Sequence, residues 1–188
     1  MCDELKLHQA LDAKDEKLAL QLIEAGADVT ATDITGIAPL HLAAKHGLKE
    51  ATAAILRAGA QVDAMNVDGV TALHLTAARS KPETFAMLIE KGADFRRIER
   101  DGWTPLHWAA YRGCTPIVKQ LIELGAAIDI ADADGWTPLH LAAQQGCTDS
   151  VKALLAAGAD TSRKTENGQT ALDLAVSQKR DEVIRLLP

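Results

Sequence analysis

The 188-residue chain is long enough to bury the core of one domain, and its composition excludes several classes of protein. Hydrophobic residues make up 47% of the chain but aromatic residues only 3%, so the core must be built from alanine and branched aliphatic side chains, which suits closely packed helices. The formal net charge of −6 argues against a protein that binds the phosphate backbone of nucleic acids. No apolar run is long enough to span a membrane, and the charged N-terminal segment lacks the apolar core of a signal peptide.

Glycine recurs along the chain in two independent rows with a period of 33 residues. The first row is Gly36, Gly69, Gly102, Gly135 and Gly168, and the second is Gly26, Gly59, Gly92, Gly125 and Gly158. An internal repeat of this length is typical of a solenoid, in which each unit is one supersecondary motif that is stable only when stacked on its neighbours. The rows predict units at about 1–32, 33–65, 66–98, 99–131, 132–164 and 165–188.

The first two predicted units depart from the regular pattern in different ways. The first, with a helix pair near 3–25, has no turn glycine of the first row, and its polar side chains are those of an N-terminal capping repeat: Lys6, Gln9, Asp12, Lys14, Asp15 and Lys17. The second has a helix pair near 37–58, and Ala38 stands where the other units have an N-cap threonine. We expect this helix start to be weaker by about 1 kcal/mol.

The third unit, with a helix pair near 70–91, is the most irregular. Thr76 occupies an alanine position, and Ser80-Lys81-Pro82 replaces the inter-helix glycine turn. Ser80 and Glu83 have the spacing of a capping box for the second helix. We therefore expect both helices to form around a reshaped turn.

The fourth and fifth units, with helix pairs near 103–124 and 136–157, contain the similar segments GWTPLHWAAYRG and GWTPLHLAAQQG. Thr104 is an N-cap residue, Pro105 suits the first helical position, and Gly113 ends a helix of about two turns. A second helix with apolar residues at helical spacing runs to Gly125, which has the residue type of a left-handed C-terminal cap. The last unit, near 169–187, has Asp173 at the histidine position and a polar second half, as a C-terminal capping repeat should.

The recurrent T-P-L-H-x-A-A core, the inter-helix glycine, the second helix and the closing G-A-D resemble the ankyrin repeat, over essentially the whole sequence. The resemblance implies an all-α, ankyrin-repeat solenoid of stacked helix-turn-helix units with β-turn fingers, in a single domain over 1–188. It also implies a protein–protein interaction module that acts as adaptor, scaffold or inhibitor. No nucleophile elbow or phosphate-binding glycine loop is present, so we expect no enzyme activity and no cofactor.

The histidines His41, His74, His107 and His140 form a row that could suggest metal ligands or general bases. Each lies three residues after the cap position and can bond back to it, and equivalent residues of stacked helices are about 8–10 Å apart, too far to share a zinc ion. We therefore interpret the row as structural and expect no metal. Cys114 and Cys147, one repeat apart, should be free thiols for the same reason, and Cys2 lies at the N-terminus.

Partner-binding residues are expected on the finger tips and on the exposed face of the first helix of each unit, which in the family line a concave groove. Trp103 and Trp136 directly follow turn glycines, and Tyr111 and Arg112 lie close by, whereas Trp108 takes a leucine position and is expected in the core. The predicted binding residues are Trp103, Trp136, Tyr111, Arg112, Arg100, Asp134, Gln144, Gln145, Arg79, Val70, Ile37 and His46. A basic finger with Arg96, Arg97 and Arg100 precedes an acidic one with Asp129, Asp132 and Asp134, which suggests a partner of complementary charge or, alternatively, ion pairs between fingers.

Three functions remain open from the sequence. The leading one is a monomeric, intracellular protein that binds another protein, with no nucleic-acid or membrane partner; its expected location is the cytoplasm, with the nucleus open as well if the source is eukaryotic. The second is an effector of a bacterium or virus that uses the same surface against a host protein. The third, an enzyme with an unrecognised site, has no motif in its favour.

Overall fold

The computed structural model describes residues 5–188, and these form helices in consecutive pairs. The chain divides into two compact units, Met1–Asp94 and Phe95–Pro188. The helices of the first unit are α1 (Lys6–Asp12), α2 (Glu16–Glu24), α3 (Pro39–His46), α4 (Lys49–Arg57), α5 (Ala72–Ala78) and α6 (Pro82–Glu90). Those of the second unit are α7 (Pro105–Arg112), α8 (Thr115–Glu123), α9 (Pro138–Gln145), α10 (Thr148–Ala156), α11 (Ala171–Ser177) and α12 (Asp181–Ile184).

Inside each compact unit, helices stack on their counterparts from the next pair. In the first unit α1, α3 and α5 form one row and α2, α4 and α6 the other, and in the second unit α7, α9, α11 and α8, α10, α12 do the same. The helix pairs predicted from the sequence are confirmed, and the all-α class with them: from Leu5 onward the extended pairing is limited to one isolated bridge between Met65 and Thr71. None of the helices over 5–188 is both long and apolar enough to cross a lipid bilayer.

The fourth helix pair shows why such short helices form. The Oγ1 atom of Thr104 accepts the backbone N–H of His107 at 3.5 Å, and Pro105 occupies the first helical position. Leu106 and Ala109 are fully buried against neighbouring helices, and Gly113 ends α7 in the left-handed conformation with φ 65°. The helix is thus held by its two caps and by one apolar face, as the sequence predicts.

The fingers between helix pairs interlock through their backbones. In the first unit the N–H of Val67 donates to the carbonyl of Thr35 at 3.1 Å, and in the second the N–H of Glu166 donates to the carbonyl of Asp134 at 2.9 Å. Gly135 has a φ of 79°, and a Cβ atom there would lie 3.1 Å from the backbone nitrogen of Glu166. The finger glycine is therefore required both by its own backbone conformation and by the close approach of the next finger.

Two expectations about irregular helix starts have different outcomes. The helix α3 begins after Ala38 with no side-chain cap hydrogen bond, as predicted. The capping box expected from Ser80 and Glu83 is wrong: because Pro82 takes the first position of α6, Lys81 is the N-cap residue, and it makes no side-chain cap bond. Ser80 instead occupies the left-handed turn position, with φ 52°, which is taken by Gly47, Gly113 and Gly146 in three other pairs and by Lys14 and Lys179 in the first and last pairs. The prediction that both helices of this pair survive is confirmed.

Candidate functional site

The row of histidines links each helix start to the next finger. The N–H of Thr104 donates to Nδ1 of His107 at 3.1 Å, and the Oγ1 of Thr104 lies 2.9 Å from the same nitrogen. Since Nδ1 accepts these bonds, Nε2 carries the ring proton and donates to the carbonyl of Trp136 at 3.2 Å. His140 repeats the pattern with Thr137 and the carbonyl of Arg163. The structural role predicted for the row is confirmed.

Burial keeps these imidazoles neutral. Desolvation lowers the pKa of His41, His107 and His140 below the ordinary 6.5, against the opposing effect of hydrogen bonds to backbone carbonyls. Asp173 replaces the histidine in the last pair, and its Oδ2 accepts bonds from the N–H and the Oγ1 of Thr170, both at 2.8 Å. These bonds lower the pKa of Asp173, which confirms its predicted role as a capping partner.

Asp132 organises the finger between α8 and α9. Its Oδ1 atom accepts the backbone N–H groups of Asp134 at 3.0 Å and Trp136 at 2.8 Å, which fixes the turn. Its Oδ2 atom accepts the indole N–H of Trp103 at 2.8 Å. One carboxylate therefore sets both the shape of its own finger and the position of the tryptophan from the preceding one.

Four aromatic side chains line a groove of about 650 Å³ in the second compact unit. Trp103 and Trp136 come from successive fingers, and Trp108 and Tyr111 lie one turn apart on α7. The ring of Trp103 packs edge-on against Trp108 at 4.6 Å and against Tyr111 at 5.5 Å between centroids, and all four side chains are half-buried. We call this surface, with the polar residues given below, the aromatic groove.

The expectation that Trp108 belongs to the core is wrong. It takes the place of Leu42, Leu75 and Leu141 in the other repeats, and all four side chains line grooves. Leu141 is nevertheless buried, at 3% exposure, whereas Trp108 is only half-buried. Trp108 and Tyr111 are three residues apart on one helix, and residues at this spacing share a helix face. That spacing is the sequence signal by which Trp108 could have been placed beside Tyr111.

Polar side chains complete the aromatic groove. The acidic ones are Glu99, Asp101, Asp132 and Asp134. The remaining lining residues are Arg100, Ala133, Leu141 and Gln144. Of the predicted binding residues, the structure thus brings six into one surface: Trp103, Trp136, Tyr111, Arg100, Asp134 and Gln144. Glu99, Asp132 and Leu141 line the groove as well and are not among the predicted binding residues.

The comparison with known families bears on the whole chain. The profile of the family described as ankyrin repeats (3 copies) matches residues 7–99, 77–165 and 128–188. The chain belongs to the ankyrin-repeat family. A comparison with curated proteins gives no match. Ankyrin repeats are modules of protein–protein interaction, so the aromatic groove lies on a fold that binds other proteins.

Two predicted binding residues of the second compact unit lie outside the aromatic groove. Arg112 is exposed at the end of α7 but is not part of the groove lining. Gln145 is half-buried, donates from Nε2 to the Oε1 of Gln144 at 3.3 Å, and lines a smaller cleft with Arg180 and Glu182. Their participation in binding stays a prediction.

The four predicted binding residues of the first compact unit are spread over different environments. Ile37 and Arg79 line a second groove, of about 540 Å³, in which His8 and Leu42 also take part. Val70 is half-buried, and its carbonyl accepts the Nε2 proton of His41 at 3.1 Å.

His46 lies near the N-terminal helix pair instead of a groove. Its Nε2 is 3.1 Å from the Oδ1 of Asp12, which Lys45 also contacts at 3.1 Å. Both contacts lower the pKa of Asp12, with the His46 hydrogen bond as the larger cause. Val70 and His46 therefore have structural partners inside the repeat array.

The two described cysteines are free thiols, as expected. Cys114 is buried, and burial raises the pKa of the half-buried Cys147, which disfavours the reactive thiolate. Cys2 lies outside the described residues. Between Leu5 and Pro188, histidine, cysteine, aspartate and glutamate side chains form no group of three or more that could hold a metal ion.

Proposed function

We propose that this ankyrin protein acts by binding one segment of a partner protein in the aromatic groove, as an adaptor, scaffold or inhibitor. Its output is occupancy of the partner instead of turnover of a substrate. The protein acts as a monomer, and the net charge of −6 disfavours nucleic acid as the partner. The observation that carries the proposal is the concentration of four aromatic side chains on the surface of two adjacent repeats.

The composition and size of the groove support this assignment. Tryptophan, tyrosine and arginine dominate the energetics of protein interfaces, and the groove contains three tryptophans, a tyrosine and Arg100. Its volume of about 650 Å³ lies in the range of sites that bury most of a bound group. Truncating a buried aromatic anchor typically costs about 2 kcal/mol or more of binding free energy.

The test is the double variant Trp103→Ala and Trp136→Ala, compared with wild type and with Lys119→Ala, a change at an exposed residue of α8. Each protein is used as bait in the native organism, and the captured proteins are identified by mass spectrometry. We expect wild type and Lys119→Ala to retain the same partner and the double variant to lose it, because Lys119 does not line the groove. Circular dichroism checks that the double variant is folded. Full capture by a folded double variant would contradict the proposal.

A further inference from the structure

We infer that the aromatic groove receives a cationic side chain, a lysine or an arginine, presented by a flexible basic segment of the partner. This inference rests on the proposed function, namely that a partner segment occupies the groove. It adds the chemical class of that segment. Two independent features of the groove carry it: the arrangement of the aromatic rings and the charge of the groove edge.

The aromatic rings form a corner instead of a stack. Trp103 and Trp108 meet at an interplanar angle of 61°, Trp103 and Tyr111 at 62°, and Trp108 and Tyr111 at 84° with centroids 6.3 Å apart. The three planes are therefore steeply inclined to one another, and each ring is only half-buried. The face of an aromatic ring carries negative charge density and attracts cations, most strongly for tryptophan and when the site is partly desolvated.

The edge of the groove is acidic. Four carboxylates are among the lining residues, those of Asp101, Asp132, Asp134 and the buried Glu99, against the single guanidinium of Arg100, so the formal charge of the lining is −3. Asp132 is held in place by its hydrogen bonds to two backbone N–H groups and to the indole of Trp103. A carboxylate is thus fixed directly against one of the aromatic walls.

The imidazole that stacks on Trp103 is uncharged at neutral pH. The imidazole of His107 stacks on Trp103, with centroids 6.1 Å apart and an interplanar angle of 25°. Burial lowers the pKa of His107, and its Nδ1 atom already accepts the N–H of Thr104. The ring is therefore neutral and does not repel a cation bound on the other side of the indole.

Other occupants fit this lining less well. An acidic segment would meet four carboxylates, and like charges at close range are a strong barrier to association. A purely apolar segment would cover the rings but would remove water from the exposed carboxylates of Asp101 and Asp134 without offering a charged partner. A lysine or arginine fits both the aromatic rings and the carboxylates, since its aliphatic stem packs on the rings while its charged end reaches the carboxylates.

The test uses the full chain and short glycine–serine peptides with lysine, arginine or norleucine at the central position. Norleucine keeps the aliphatic stem of lysine and lacks the ammonium group. Binding is followed by chemical-shift changes of the tryptophan indole N–H signals at low ionic strength. We expect the lysine and arginine peptides to bind about tenfold more tightly than the norleucine peptide. Equal affinity of the three peptides would overturn the inference.

Variants separate the two features of the groove. Trp108→Ala should abolish most of the preference for the cationic peptides, and Asp134→Asn, a change at an exposed residue, should reduce it several-fold without affecting folding. Lys119→Ala, a change at an exposed residue of α8 that does not line the groove, is the control and should leave the preference unchanged. A preference that survives both Trp108→Ala and Asp134→Asn would place the cation elsewhere and would overturn the inference.

The natural partner distinguishes a failure of this inference from a failure of the proposed function. Cross-linking the captured partner to the groove identifies its docked segment. A segment with a lysine or arginine at the cross-linked position supports the inference. A docked segment without a cationic residue overturns the inference and leaves the proposed function intact, whereas capture that survives the double variant Trp103→Ala and Trp136→Ala removes the proposed function itself.

Discussion

Replacing Ala38 with threonine should stabilise the protein, because α3 lacks the side-chain cap that the equivalent helices have. In α7 the Oγ1 of Thr104 accepts the N–H of His107 and contacts its Nδ1 at 2.9 Å. In α3 the N–H of Ala38 still donates to Nδ1 of His41 at 3.1 Å, so the backbone is already arranged to receive the hydroxyl group. The substitution adds the missing bonds to an existing geometry.

Threonine fits at this position. Ala38 is 5% exposed, and the threonines that replace it in α5 and α7, Thr71 and Thr104, are 0% and 4% exposed. An N-cap threonine is worth about 1 kcal/mol of free energy of unfolding relative to alanine. For a chain of this length, that corresponds to a rise in the midpoint temperature of about 2–4 °C.

The assay is urea unfolding followed by circular dichroism, with Thr104→Ala as the reciprocal variant. Thr104→Ala removes the cap and also a buried hydrogen bond to His107, so it should cost about 2 kcal/mol. An Ala38→Thr variant with an unchanged or lower midpoint would refute the reasoning. It would show that the bond from Ala38 to His41 already supplies all the capping that α3 can use.

Three further predictions concern the turns and the buried histidines. Gly102→Ala should destabilise the protein by about 1 kcal/mol or more beyond Gly125→Ala, as measured by urea unfolding of the two variants. Both glycines have positive φ, but only at Gly102 would a Cβ atom lie as close as 3.0 Å to the backbone of the next finger. Ser80→Gly should raise the free energy of unfolding by about 0.5–1 kcal/mol, since serine there is held at φ 52°, and a loss of stability in the same assay would contradict this. Burial lowers the pKa of His107 and His140 below 6.5, so the unfolded chain binds more protons than the folded one. The contribution of these histidines to stability is therefore present above pH 6.5 and is lost as the pH falls through their folded pKa values. Urea midpoints measured from about pH 7.5 to 5 test this, and midpoints that do not change with pH would refute it.

Local patterns in the sequence were sufficient for the repeat, the helix pairs and the role of the histidines. These features depend on residues close together in the chain: a threonine and a histidine three positions apart, a proline at the first helical position, a glycine at the helix end. Because the period is constant, a local interpretation of one unit applies to the others. The same reasoning failed at Ser80, where the cap position depends on which residue Pro82 allows to begin α6.

The composition of the aromatic groove was decided only by the tertiary structure. Trp108 and Leu141 occupy the same position of the repeat, and nothing local in the sequence distinguishes a leucine that fills a core from one that lines a surface. Asp132 and Trp103 are 29 residues apart, so their bond forms only when α7 and α9 pack and bring two fingers together. The sequence by itself determined the repeating unit, because the unit is held by short-range caps and turns. The stacking of successive repeats decided which side chains share one surface, because a shared surface depends on contacts between residues about one repeat apart.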